Sequence, residues 1–235
     1  MHNKGKLIVF EGIDGSGKGT QTKKLFNFLK DKDIKTELFE FPFYSKTFFG
    51  KEVGNYLNGE FGGLNEVHPK LSAMLYAGDR YEKRNELIEK LNQGYLIICD
   101  RYVPSNIAHQ TAKYQNEREK ENLKKWIEEL EYGVYKLPKP DLIFFLNMNP
   151  DISDKLILNK AKRDYTDKKK DLHENDNSYL KNVYNTFCEM VSNDNWENIM
   201  SNEDKNLKTI DDIQNEIISI LINKGFINGK CYVIG

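Results

Sequence analysis

Apolar residues along the chain fall into two kinds of segment. Short unbroken runs at Leu7 to Phe10, Tyr95 to Cys99 and Leu142 to Leu146 have the length and density of strands buried on both faces. Glu37 to Phe41, stopped by Pro42, and Trp196 to Met200 read as two further strands. Between them lie stretches of helical period. Thr20 to Lys30 places Leu25, Phe28 and Leu29 on one face. From Pro69 to Asn92, apolar residues recur at Leu71, Met74, Leu75, Leu87, Ile88 and Leu91, with Gly94 placed to stop the helix. Leu123, Trp126, Ile127 and Leu130 give an i, i+3, i+4, i+7 stripe that puts the tryptophan in the core, and Ile210 to Ile222 gives a last helix. Alternating strands and crossover helices predict an α/β fold with a parallel sheet. No repeat or linker divides the pattern, so residues 1–235 are expected to form one domain.

Composition narrows the partners. The 235 residues carry a formal net charge of -1, so no global positive field invites nucleic acid or an anionic membrane, and any polyanion must be held locally. The three cysteines, Cys99, Cys188 and Cys231, have neither zinc-site nor disulfide-framework spacing. No apolar run reaches the ~18 residues of a membrane helix, and Leu7 to Phe10 is too short for a signal-peptide core. A soluble protein of the reducing cytoplasm is expected.

Candidate chemistry begins directly after the first strand, where Gly12, Ile13, Asp14, Gly15, Ser16, Gly17, Lys18, Gly19 and Thr20 lead into a helix. Glycines let the backbone turn its N–H groups inward as an anion nest at the helix N-terminus, and Lys18 adds a full charge for the β and γ phosphates of ATP. The usual phosphate loop ends GKS or GKT. Here Gly19 takes that slot and Thr20 follows, an ending similar to that of adenylate kinases, which moves the expected metal ligands from the loop to carboxylates and water.

Asp100 closes a buried strand at the sheet edge where ligands bind, and an acid there suits magnesium or its waters. Arg101 beside it can bridge donor and acceptor phosphates, since phosphoryl transfer is governed by positioning and charge. The stretch 159–176 sets Lys160, Lys162, Arg163, Lys168, Lys169 and Lys170 against Asp164, Asp167 and Asp171 with almost no apolar content. Beside a phosphate loop it reads as a mobile basic lid.

Taken in order, Phe10 to Gln21 (FEGIDGSGKGTQ), Phe41-Pro42, Tyr76 to Arg80 (YAGDR), Asp100 to Tyr102 (DRY) with Ser105, and Asp171 to Glu174 (DLHE) resemble the thymidylate kinases across most of the chain. The resemblance implies the doubly wound P-loop fold with a five-stranded parallel sheet, transfer of the ATP γ-phosphoryl group to dTMP with Mg2+, and a homodimer built on helices flanking the sheet. Asp14 would meet the acceptor's 3′-hydroxyl or the metal, with Asp100 and Glu174 as further metal residues. Tyr76 and Arg80, one helical turn apart, would stack on the base and donate to a thymine carbonyl. Ser105, Asn106, His109 and Gln110 would line the rest, with Asn106 or Gln110 reading the base edge.

The chain departs from its relatives at four places. Phe43 and Tyr44 follow Phe41-Pro42 where many members have an arginine for the acceptor phosphate. Tyr44 can donate a hydrogen bond there, and the charge must come from Arg101, Lys46 or Arg84. His109 stands where a tyrosine or phenylalanine commonly blocks a ribose 2′-hydroxyl. In the lid, His173 replaces a tyrosine. Gly15 sits where some members carry an arginine, which leaves the catalytic cation to the lid, with Arg163 first. The rivals are a kinase of the same fold with another acceptor and a non-catalytic P-loop module; a GTPase-like switch lacks support, because Asn159 to Lys162 reads NKAK and lacks the acid of a guanine-reading NKxD run.

Overall fold

The computed structural model describes residues 4–157, 176–203 and 206–229. Its central sheet has five parallel strands in the order β2-β3-β1-β4-β5: β1 (Lys6–Glu11), β2 (Thr36–Glu40), β3 (Leu96–Asp100), β4 (Leu142–Asn147) and β5 (Trp196–Met200). This is the parallel α/β sheet expected from the pattern, in the doubly wound five-stranded form that the resemblance implied. Val9 stands opposite Cys99 on one side and Ile143 on the other, so β1 is the central strand and its end is the centre of the ligand-binding edge.

Alternation within each buried strand sends side chains to two cores. Leu7, Val9, Ile97, Cys99, Ile143 and Phe145 face one. It is covered by α3 (Pro69–Asn92), α4 (Val103–Thr111), α5 (Glu117–Glu128) and α7 (Asn177–Met190), through Leu87, Ile107, Leu123, Ile127, Val183 and Phe187. Ile8, Phe10, Ile98, Leu142, Phe144 and Leu146 face the other, against α1 (Lys18–Asp31) and α8 (Ile210–Asn223), through Leu25, Leu29, Ile213, Ile217 and Leu221. With both faces covered, the strands need continuous apolar character. Trp126 is only half-buried at the rim, where the Lys70 ammonium lies 4.9 Å from its ring.

Four helices carry no expectation from the pattern. The helix α2 (Phe48–Leu57) contains Gly50 and Gly54, which weaken helical propensity, and depends on Thr47, whose hydroxyl accepts the Gly50 N–H. All nine residues of α4 are buried, so no polar face marks it. The short α6 (Pro150–Ile157) follows β4, and α7 begins at Asp176, which caps it by accepting the Ser178 and Tyr179 N–H groups. A π-helical turn, Glu129–Val134, extends α5, and a two-residue antiparallel pair, β6 (Asn202–Glu203) with β7 (Asn206–Leu207), precedes α8.

The stripe expected on α3 is inverted at its start. Leu71 is 55% and Met74 37% exposed, while Ser72, Ala73, Ala77, Asp79 and Arg80 are buried. The inward face of this half of α3 borders a polar cavity, which selects small and hydrogen-bonding residues there. Among the described residues no helix is long and apolar enough to cross a membrane.

Candidate active site

The loop after β1 has the geometry its glycines predict. Gly17, at φ 92, opens α1 from the left-handed region. The Lys18 ammonium lies across the loop and donates to the carbonyls of Gly12 and Ile13, each at 2.8 Å. It is therefore poised over the nest rather than extended into solvent. From α6, Ser153 donates to the Asp14 carbonyl and ties the loop to the far side of the cleft. The unusual Gly19 has a local reason: a Cβ there would stand 3.3 Å from Asp100 Oδ2. The GKG ending lets the buried carboxyl of β3 approach the start of α1, and burial raises the affinity of Asp100 for its proton, opposed by Lys18 and Arg101.

Arg101 follows immediately at φ 65, a left-handed conformation that turns its side chain back over the loop. Its Nη2 donates to Asp14 Oδ1 at 2.8 Å and its Nη1 to Ser105 Oγ at 3.1 Å. Ser105 Oγ in turn donates to Glu11 Oε2 at 2.5 Å, and Glu11 Oε1 accepts the N–H groups of Tyr102 at 2.9 Å and Ser105 at 3.1 Å. Glu11 is fully buried at the N-terminus of α4, and burial raises its pKa to about 7 against the opposing hydrogen bond from Ser105 and the charge of Arg101. No periodicity singles out Glu11. It lies within the FEGIDG run without an assigned role, and only the fold shows that it anchors both α4 and Arg101.

A cavity opens beside this cluster, and every expected acceptor residue borders it. Asp14, Tyr44, Arg101 and Ser105 stand at the phosphate end, and Tyr76, Arg80, Asn106, His109 and Gln110 complete the wall. A second, larger cleft runs along Asp14 to Gln21 toward Ser201, Lys208 and Ile210, and Asp14, Phe41, Pro42, Tyr44 and Arg101 border both. Donor loop and acceptor cavity thus meet at the Asp14–Arg101 pair. Lys46 borders the larger cleft, whereas Arg84 donates to the Lys136 carbonyl at 3.2 Å and borders neither. Of the three cations weighed for the acceptor phosphate, Arg101 alone borders the acceptor cavity. Arg163 and Glu174, with the lid stretch 159–175, lie outside the described residues.

Arg80 differs from the expected open pair with Tyr76. It is 2% exposed, and its Nε and Nη2 form a fork on Glu131 at 2.5 and 2.7 Å. Glu131 lies in the π-helical turn, which aims it inward; from sequence it is one acid among several in a polar helix. Two of the guanidinium's donors serve to hold it, which leaves Nη1 outside the fork. Asn106 Nδ2 donates to the same carboxylate at 2.8 Å and to the Ala73 carbonyl at 3.1 Å. Buried Asn106 Oδ1 and Gln110 Nε2 have no hydrogen-bond partner among the described residues. One acceptor and one donor remain for a bound group.

His109 is held as a neutral ring. Tyr179 donates its hydroxyl proton to the His109 carbonyl at 3.0 Å, so its oxygen accepts from Nδ1 at 3.0 Å and Nε2 keeps the lone pair. Burial, reinforced by Arg101, lowers its pKa to about 3. Asp79, unassigned by sequence reasoning, is also fully buried. It accepts from Thr47 Oγ1 at 2.5 Å and from the Phe43 N–H at 3.1 Å, and so fixes the segment that carries Tyr44.

The chain as a whole is similar to known proteins. The family described as Thymidylate kinase matches residues 10–217. A thymidylate kinase of Plasmodium falciparum is 31% identical over 217 residues, covering 92% of this chain and 89% of its own length. The human thymidylate kinase is 36% identical over 146 residues, 62% of each chain. The solved thymidylate kinase of Candida albicans superposes with a TM-score of 0.74 at 26% identity, covering 94% of this chain and 93% of the other.

Proposed function

Because this chain belongs to the thymidylate kinase family, we propose that its two joined cavities hold ATP and dTMP and that it transfers the γ-phosphoryl group between them. The observation that carries this reading is the meeting of phosphate loop and acceptor cavity at Asp14 and Arg101. The nest and Lys18 hold the donor phosphates. Arg101, presented from a fixed backbone and anchored through Ser105, neutralises charge on the migrating group as it passes to the acceptor oxygen. Asp14 orients Arg101 and lies within reach of the acceptor sugar.

Magnesium fits the donor chemistry. Asp14 and Asp100 supply hard oxygen ligands beside the nest, and among the described residues no cluster of three or more acidic, histidine or cysteine ligands forms a cage. Such a set suits an ion that keeps several waters and binds through nucleotide phosphates. When bound, the ion would add charge stabilisation at those phosphates. Glu174 remains a further metal residue of this proposal, and Arg163 its lid cation.

For the base, unpartnered Asn106 Oδ1 and Gln110 Nε2 offer an acceptor and a donor, which match the N–H and carbonyl of a thymine imide. We place the homodimer contact on α2 and α3, where Phe48, Leu71, Met74 and Tyr81 are exposed large apolar residues. The reading also sets the protein in a reducing cytoplasm, with Cys99 and Cys188 as free thiols. An ADP-release assay with ATP and a panel of monophosphates tests the assignment: dTMP should be turned over best, and AMP as the best acceptor contradicts it.

A further inference from the structure

Lys113 follows α4, three residues after Gln110 of the acceptor cavity. Its ammonium donates to Tyr56 Oη at 2.9 Å and to Ser72 Oγ at 3.0 Å, and lies 5.2 Å from the Tyr56 ring. Both hydrogen-bond partners are neutral hydroxyls. Burial lowers the pKa of Lys113 to about 7, and among the described residues no carboxylate opposes the shift. A cation placed this way costs stability, so a function is the natural place to look for its return.

The direction of donation supplies one. An ammonium has donors only, so Ser72 Oγ must accept from it and is left to donate its own proton. Two acceptors lie near: Gln110 Oε1 at 2.7 Å and the Pro69 carbonyl at 3.2 Å. The shorter contact has the length of an O–H···O bond and is short for an N–H···O bond. The amide oxygen of Gln110 therefore faces Ser72. Its Nε2 is buried without a partner among the described residues, and Gln110 borders the acceptor cavity.

We propose that Lys113 is a specificity-determining positioning residue, which through Ser72 fixes the Gln110 amide so that the cavity presents a donor to the acceptor base. Asn106 completes the pattern. Its Nδ2 is committed to Glu131 and the Ala73 carbonyl, so its Oδ1 is the acceptor. A donor beside an acceptor matches an imide edge, a carbonyl next to a ring N–H. Cytosine presents a lone pair at N3, and Asn106 Oδ1 would face it unpaired. Such a mismatch in a buried polar site is strongly rejected. With Lys113 removed, both lone pairs of Ser72 are open, the turned amide with Gln110 Nε2 on Ser72 Oγ and the Ser72 proton on the Pro69 carbonyl becomes easier to reach, and the imide loses its advantage.

The inference rests on the proposed dTMP kinase reading, and one set of assays separates the two. Wild type, Lys113→Met and Ser72→Ala are compared for kcat/KM with dTMP and dCMP, for KM of ATP and for Tm. In both variants the dTMP-to-dCMP preference should fall by about tenfold or more, as a rise in KM for dTMP with KM for ATP unchanged. Lys113→Met should melt no lower than wild type, because a buried charge has been removed; a merely structural role for Lys113 would lower Tm and leave the base preference alone. Should Lys113→Met fail to fold, Ser72→Ala still tests the relay. A preference kept within twofold in the folded variants overturns the inference while leaving the dTMP reading intact. Wild-type protein without dTMP turnover overturns both.

Discussion

The Asp14 carboxylate and the Arg101 guanidinium meet at 2.8 Å, although 87 residues separate them in the chain. The contact joins the loop after β1 to the end of β3, two strands that lie side by side with Phe10 opposite Asp100. Sheet register brings the strand ends together, and the left-handed backbone at Arg101 turns its side chain onto the loop. Phosphate donor and acceptor can then be spanned by one rigid cation.

Replacing Arg101 should therefore damage chemistry more than binding. Arg101→Ala is expected to lower kcat by about 10²-fold or more, with KM for ATP changed much less. Arg101→Lys should recover little, because a single ammonium cannot serve Asp14 and Ser105 together as the planar fork does. Steady-state kinetics decide this, and Arg101→Ala turnover within threefold of wild type contradicts the role. Lys18→Ala is expected to lose a similar factor.

The Arg80–Glu131 fork predicts a change in stability as well as function. Both side chains are almost inaccessible, at 2% and 0% exposure, so Glu131→Ala strands a buried guanidinium and frees Asn106 Nδ2. Removing one member of such a pair costs about 3–5 kcal/mol. Urea denaturation should show a loss of that size, accompanied by a higher KM for dTMP. A loss below about 1 kcal/mol, the scale of an exposed pair, contradicts this account.

His109 should remain uncharged well below the range where histidines usually titrate. The unfolded chain takes up a proton near 6.5 and the folded ring only near 3, so between these values the unfolded state binds more protons. The stability due to this residue is fully present above pH 6.5 and is lost as pH falls toward 3. Following the ring resonances by NMR from pH 8 to pH 5 should show no titration of His109. A midpoint near 6 would show that the site is wetter than the geometry indicates.

Much of this architecture was legible in the sequence, and the parts that were not share a cause. The strands β1, β3 and β4 announced themselves as apolar runs because both their faces are covered, and α3 has the expected bounds, Pro69 to Asn92, although the stripe at its start is inverted. The helix α4 was hidden because burial on all sides removes the polar face that periodicity detects. In the site, the residues expected to line the acceptor cavity do line it. Their supports were invisible: Glu11, Asp79 and Glu131 are acids whose importance comes from burial and from partners 25 to 94 residues away. Spacing along a chain cannot express such contacts. Arg80 shows the limit well, since helical spacing placed it beside Tyr76 but could not show that Glu131 holds its guanidinium.

The apolar residues turned outward on α3 predict assembly. Leu71 and Met74 lie one turn apart and exposed, with Phe48 and Tyr81 exposed on α2 and α3. Sedimentation should find a dimer, and Leu71→Asp combined with Met74→Asp should convert it to a monomer by placing charge in the contact. A wild-type monomer at micromolar concentration contradicts this placement.

The central claim is that one phosphoryl group passes from ATP to dTMP across Asp14 and Arg101. Chromatographic separation of the nucleotides after incubating the protein with ATP, Mg2+ and dTMP tests it directly. The account predicts dTDP and ADP in equal amounts, and their disappearance in Arg101→Ala. ADP formed without dTDP, or dTDP formed equally well by Arg101→Ala, contradicts it.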